Sequence, residues 1–134
     1  MNILSGNITS IQGSESLSLV KIAVGNTIFT SIIINTPQSD TYFKLGNSVN
    51  VYFKETEVII AKNENLNISI QNKIICTINS IKHGEILCEL ELSFGEFTIK
   101  SLITSNACNT LNLKNGAVVL ALIKTNEVSL SPYD

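Results

Sequence analysis

Apolar and polar residues alternate with period two along most of this chain. Ile86, Cys88, Leu90 and Leu92 alternate with Leu87, Glu89, Glu91 and Ser93. Val49, Val51 and Phe53 alternate in the same way with Asn50, Tyr52 and Lys54. Successive side chains of a strand point to opposite faces, so these runs predict half-buried β-strands. The pattern breaks at Gln12-Gly13-Ser14, at Val24-Gly25-Asn26-Thr27, at His83-Gly84-Glu85 and at Phe94-Gly95-Glu96. The breaks at Gly25 and Gly95 join strands and predict hairpin loops. A short helix is expected in two places. Thr36 caps the first, with Pro37 at its first position and Gly46 beyond its end. Ser105 or Asn106 caps the second, which runs toward Leu113 and stops before Gly116. The unpaired backbone N–H groups at such helix starts favour anions.

The same pattern occurs twice. Asn2, Gly25, Ser31, Gly46, Lys54, Glu57 and Val58 recur as Asn72, Gly95, Ser101, Gly116, Lys124, Glu127 and Val128 at an offset of 70, without a gap. Fifteen positions are identical at that offset, and apolar positions match more widely. A fixed period of this kind marks a structural repeat. The chain therefore divides into two copies, 1–62 and 68–134, joined by the polar stretch Lys62-Asn63-Glu64-Asn65-Leu66-Asn67. Each copy offers four or five short strands and one short helix. The expected fold is all-β, two tandem OB-like small β-barrels with one short helix per repeat. A unit of about 60 residues buries only about 60% of its unfolded surface. Each copy is thus expected to pack against its sister or to oligomerise, and interfaces are where small ligands tend to sit.

Composition narrows the function classes. The net charge is −2 and all nine basic residues are lysines. Nucleic-acid binding is not expected, because it normally uses a basic face and arginine forks. No apolar run is long enough to span a membrane. No secretory signal opens the chain, so a cytoplasmic location is expected. Cys76, Cys88 and Cys108 are spaced by 12 and 20 residues, which matches no zinc pattern. They are expected to be free thiols, with Cys88 a small core residue and His83 a surface residue without companions. No metal site is expected from them. No Ser–His or Cys–His set has a third member, and no glycine-rich loop cradles phosphate, so the protein is not expected to be an enzyme.

The two copies also resemble a known family. The second opens with Ser69-Ile70-Gln71-Asn72, reaches Ser80-Ile81, passes through Leu102-Ile103-Thr104-Ser105-Asn106 and closes with Ile123-Lys124-Thr125-Asn126-Glu127-Val128. The first starts at Asn2, reaches Ser10-Ile11 and closes with Phe53-Lys54-Glu55-Thr56-Glu57-Val58. In order and in duplicate, these segments resemble the Mop domain, the molybdate-binding version of the TOBE fold. That family opens with Ser-Ala-Arg-Asn and closes with Ile-Lys-Ala-Thr-Glu-Val. The resemblance implies intracellular storage or homeostasis of molybdate or tungstate. It implies ions held at interfaces between barrels of a homo-oligomer, a trimer of two-copy chains. Carried over position by position, the oxyanion ligands are Ser69, Ile70 through its N–H, Gln71, Asn72, Thr104, Ser105, Lys124 and Thr125, with Lys54 the matching lysine of the first copy.

The chain departs from that pattern in several places. Gln71 stands where the family has arginine. Ile34 and Pro37 replace hydroxyl residues in the first copy, Ala107 replaces one in the second, and Glu55 lies beside Lys54. Fewer or weaker sites are expected than in a full family member. The donor types still suit a tetrahedral dianion, which accepts hydrogen bonds and has no proton to donate. Hydroxyls, amides, backbone N–H groups and lysine are its natural partners. Two other readings stay open: the sensing half of a molybdate-responsive regulator or transporter, and a structural OB-type module that has lost its ligand.

Overall fold

The computed structural model describes residues 1–35, 42–62 and 65–133. Among the described residues ten strands form in chain order: β1 (Asn2–Gly13), β2 (Leu17–Val24), β3 (Thr27–Ile34), β4 (Ser48–Phe53), β5 (Ile59–Ala61), β6 (Asn72–His83), β7 (Leu87–Phe94), β8 (Phe97–Thr104), β9 (Val118–Ile123) and β10 (Ser129–Pro132). Among the described residues an α-helix, α1 (Ser105–Thr110), follows β8, and 3₁₀ turns at Glu55–Glu57 and Thr125–Glu127 follow β4 and β9. The fold is all-β with an OB-like pair of five-stranded sheets, as the strand pattern predicts. The first expected helix, from Thr36 past Pro37, lies largely outside the described residues.

The hairpins form where the glycines predict them. β2 and β3 pair antiparallel up to Val24 and Thr27, across the two-residue loop Gly25-Asn26. Gly25 has φ +60° and Gly95 φ +57°. Asn26 and Glu96, the second central residues, do not share the positive φ, so both turns are type II′, with the first position one that glycine adopts without a Cβ clash. β1 and β6 each shift register once, between Ile8 and Ser10 and between Ile78 and Ser80. This bulge at matching positions bends each long strand.

The chain falls into two compact units, and their limits differ from those of the sequence copies. One unit comprises Ile3–Phe53 and Lys124–Asp134, and its sheet runs β10-β4-β1-β2-β3. Ile8, Val20, Ile22, Phe29, Val49, Val51 and Phe53 fill its core, each no more than 2% exposed. The Phe29 and Phe53 rings stack at 6.0 Å. The other unit comprises Met1–Asn2 and Lys54–Ile123, and its sheet runs β5-β9-β6-β7-β8. Ile74, Ile78, Leu90, Leu92, Ile99, Leu122 and Ile123 are its buried side chains. Burying each such side chain contributes about 1.5–3 kcal/mol.

Each unit is therefore closed by the tail of the other sequence copy. β5, from the first copy, pairs with β9 through Ile59↔Leu122 and Ala61↔Leu120. β10, from the second copy, pairs with β4 through Ser129↔Tyr52 and Pro132↔Val49. Two repeat-matched serines hold these tails. The Ser101 hydroxyl donates to the Val58 carbonyl at 2.9 Å, and the Ser31 hydroxyl donates to the Val128 carbonyl at 2.5 Å. Both serines are fully buried.

Candidate functional site

β8 delivers Thr104 to the start of α1. Thr104 keeps extended backbone angles, φ −69° and ψ 148°, and its hydroxyl oxygen accepts the Ala107 N–H at 3.0 Å. Thr104, not Ser105 or Asn106, is thus the cap. The helix is also shorter than expected and ends at Thr110. Asn112 takes a left-handed φ of 52° just beyond it, and Leu113 N–H turns back to the Cys108 carbonyl at 3.2 Å. The first N–H groups of α1 are already partly committed. Ser105 N–H donates to the Ile86 carbonyl at 2.7 Å, and Ala107 N–H goes to Thr104. The bare helix start expected for anion binding is therefore partly filled by the chain itself.

Thr104 faces a cavity of about 340 Å³. Ala107, Leu87 and Leu102 line it from the same sequence copy; Thr56, Val58 and Ile59 line it from the closing segment of the first copy. The exchanged tail explains this company. Lys54 caps the turn that carries Thr56, and its side chain is exposed. The wall of the cavity is mostly apolar, with the two threonine hydroxyls as its polar side chains. A hydroxyl that accepts one bond can still donate its own proton.

The remaining candidates are spread. Ser69 and Gln71 are exposed just before β6, and Ile70 between them is half-buried. Lys124 is exposed and Thr125 half-buried at the second 3₁₀ turn, which belongs to the other compact unit. Asn72 and Ser105 have structural partners. Asn72 is 1% exposed and its Nδ2 donates to the Ile123 carbonyl at 3.0 Å. The Ser105 hydroxyl donates to the Gly84 carbonyl at 2.7 Å. Asn2, the first-copy counterpart of Asn72, bonds both the N–H and the carbonyl of Lys100 at 2.8 Å. Glu57 accepts the Lys54 N–H at 2.8 Å, which gives that repeated glutamate a structural role. Glu55 pairs with the Met1 ammonium, which holds its carboxyl below the usual value.

One grouping escaped the sequence reading. His83 Nδ1 lies 3.7 Å from Cys88 Sγ, and Cys108 completes a cluster whose ligand atoms all lie within 4.8 Å of one another. The expectation that His83 has no companions is corrected: strand pairing sets His83 opposite Cys88, and α1 brings Cys108 over them. Spacings of five and 20 residues carry no short motif, so only the hairpin and the helix reveal the set. Cys76 stands apart in the core of β6, where burial pushes its thiol up to about 12.

The TOBE domain family matches residues 68–130. No curated protein sequence matches the chain. Among solved structures, the fold is similar to that of the cytoplasmic molybdate-binding protein ModG in a crystal form with molybdate bound. The TM-score is 0.91 at 22% identity, over 98% of this chain and 96% of that one. No helix among the described residues is long and apolar enough to cross a membrane.

Proposed function

We propose that this chain, whose residues 68–130 match the TOBE domain family, binds molybdate or tungstate. It serves storage or homeostasis of the ion in the cytoplasm and has no catalytic role. The observation that carries this reading is the end-to-end likeness in fold to ModG, a protein with molybdate bound.

The donors fit the ion in kind. Thr104 and Thr56 offer hydroxyls to one cavity, and Lys54 stands exposed at the head of the turn that carries Thr56. Ser69, Ile70 N–H, Gln71, Lys124 and Thr125 are the further candidates. Asn72 and Ser105 contribute by holding the backbone, given their bonds to Ile123 and Gly84.

The donors of one cavity are too few for a dianion with four oxygens. The rest come from another copy of the chain. Leu87 and Ile59, which line the cavity, are 46% and 47% exposed, and a second copy would cover them. Large apolar side chains left open beside polar groups are the usual mark of an interface. A cyclic homo-oligomer, here a trimer, repeats that contact and its ions by symmetry.

Native mass spectrometry with molybdate, tungstate or sulfate added tests this. The expected result is a trimer that gains a fixed number of molybdates or tungstates and no sulfate. An oligomer that gains neither ion at micromolar concentration would overturn the reading and leave a structural module.

A further inference from the structure

We propose that His83, Cys88 and Cys108 form a binding site for a thiophilic divalent cation of the zinc type. His83 ends β6, Cys88 sits opposite it on β7, and Cys108 projects from α1. The His83 Nδ1 to Cys88 Sγ distance is 3.7 Å. A tetrahedral site with Zn–S of about 2.3 Å and Zn–N of about 2.1 Å has an N-to-S edge of about 3.6 Å. All three ligand atoms lie within 4.8 Å of one another, so closing onto one ion needs only side-chain adjustment.

The chemistry also balances. Two thiolates and a neutral imidazole cancel the charge of a divalent cation. That matters because Cys88 and Cys108 are 1% and 2% exposed, and an uncompensated buried charge is costly. Binding releases the two thiol protons to solvent. His83 is exposed and lines a cavity of about 230 Å³ with Lys82 and Glu89. The cluster adjoins that cavity through His83, and three protein ligands leave the fourth position of a tetrahedral ion to water, as in open zinc sites.

The bland alternative makes the thiols simple packing residues that help fasten the loop before β7. The first copy answers it, because it builds the same fastening without them. There Ser18 Oγ donates to Asn35 Oδ1 at 2.5 Å, Asn35 Nδ2 donates to the Ser14 carbonyl at 3.2 Å, and Asn35 N–H donates to the Ser16 carbonyl at 2.8 Å. In the second copy Ser105 makes the matching bonds to Gly84 and Ile86 and touches Cys88 at 3.4 Å. The first copy has Gly13, Ser18 and Gln38 where the second has His83, Cys88 and Cys108. The fold does not require the cluster, and all three ligands belong to one copy only.

The test is a Co(II) titration of the reduced full chain, followed by Zn(II) competition against a chromophoric chelator. A thiolate-to-cobalt charge-transfer band is expected at one equivalent, with two protons released per metal. His83→Ala and Cys108→Ser should each weaken Zn(II) by at least about 100-fold, beyond the loss typical of outer-shell changes. Cys76→Ala should leave binding unchanged. His83→Ala alters an exposed side chain, so it remains informative if Cys108→Ser fails to fold. No charge-transfer band in the wild-type chain would overturn the proposal, as would equal affinity in a folded His83→Ala variant.

Discussion

Thr104 holds two duties at once, and substitutions can separate them. Its oxygen caps α1 through Ala107 N–H, while its proton is free for a ligand. Thr104→Val removes both, and the cap loss alone costs about 1 kcal/mol. Thr104→Ser keeps both. Urea melts should therefore rank Ser with the wild type and Val below it, and calorimetry with molybdate should show the same order. The lysines should separate more sharply. A charge-assisted hydrogen bond contributes about 1.5–3 kcal/mol, so Lys54→Ala or Lys124→Ala should weaken molybdate binding by about 10–100-fold, with melting unchanged. If neither affinity moves, lysine is no ligand. Cys76 gives a prediction that needs no ligand. Burial raises its thiol from 9.0 to about 12, so the folded state favours the protonated form. That stability is fully present below the ordinary thiol value and is lost as pH rises through about 12. Alkaline melts of Cys76→Ala should lack this share of the slope. Equal slopes in the two proteins would reject it.

At the level of elements, the alternation of side chains was enough to place the strands, and Gly25 and Gly95 were enough to place the hairpins. The tails were not legible, for a physical reason. Both copies close with the same Lys-x-x-Glu-Val segment, so the residues of the tails do not tell which sheet each one closes. Ser31 and Ser101 gave no sign of their role, because a serine within a strand has no period that marks it as buried. Their partners are the Val128 and Val58 carbonyls. Of the candidate ligands, the sequence placed Thr104 before a helix and Lys54 on a closing segment. It could not tell that Thr56 would share the cavity of Thr104, since that depends on the exchange. It also gave Asn72 and Ser105 as ligands where the fold gives them backbone partners. Ser101→Ala should test the tail anchor. It leaves the Val58 carbonyl without its donor in a buried place, which costs about 1–3 kcal/mol. A denaturation midpoint equal to that of the wild type would show that the serine does not hold β5.

For the molecule as a whole, the exchange makes the two sequence copies interdependent. A fragment of residues 1–62 retains β1 to β4 but lacks β10, the strand paired with β4. A fragment of residues 68–134 retains β6 to β9 but lacks β5, the strand paired with β9. Each would leave one sheet edge unpaired in a unit already near the lower size limit for independent stability. Neither fragment should fold alone as a monomer, while an equimolar mixture should recover the native sheets, each fragment supplying the tail the other lacks. Proton–nitrogen correlation spectra of each fragment and of the mixture would decide. Well-dispersed peaks from an isolated monomeric 68–134 fragment would mean that its own tail can close its sheet. The sequence copies, rather than the interleaved units, would then be the folding units.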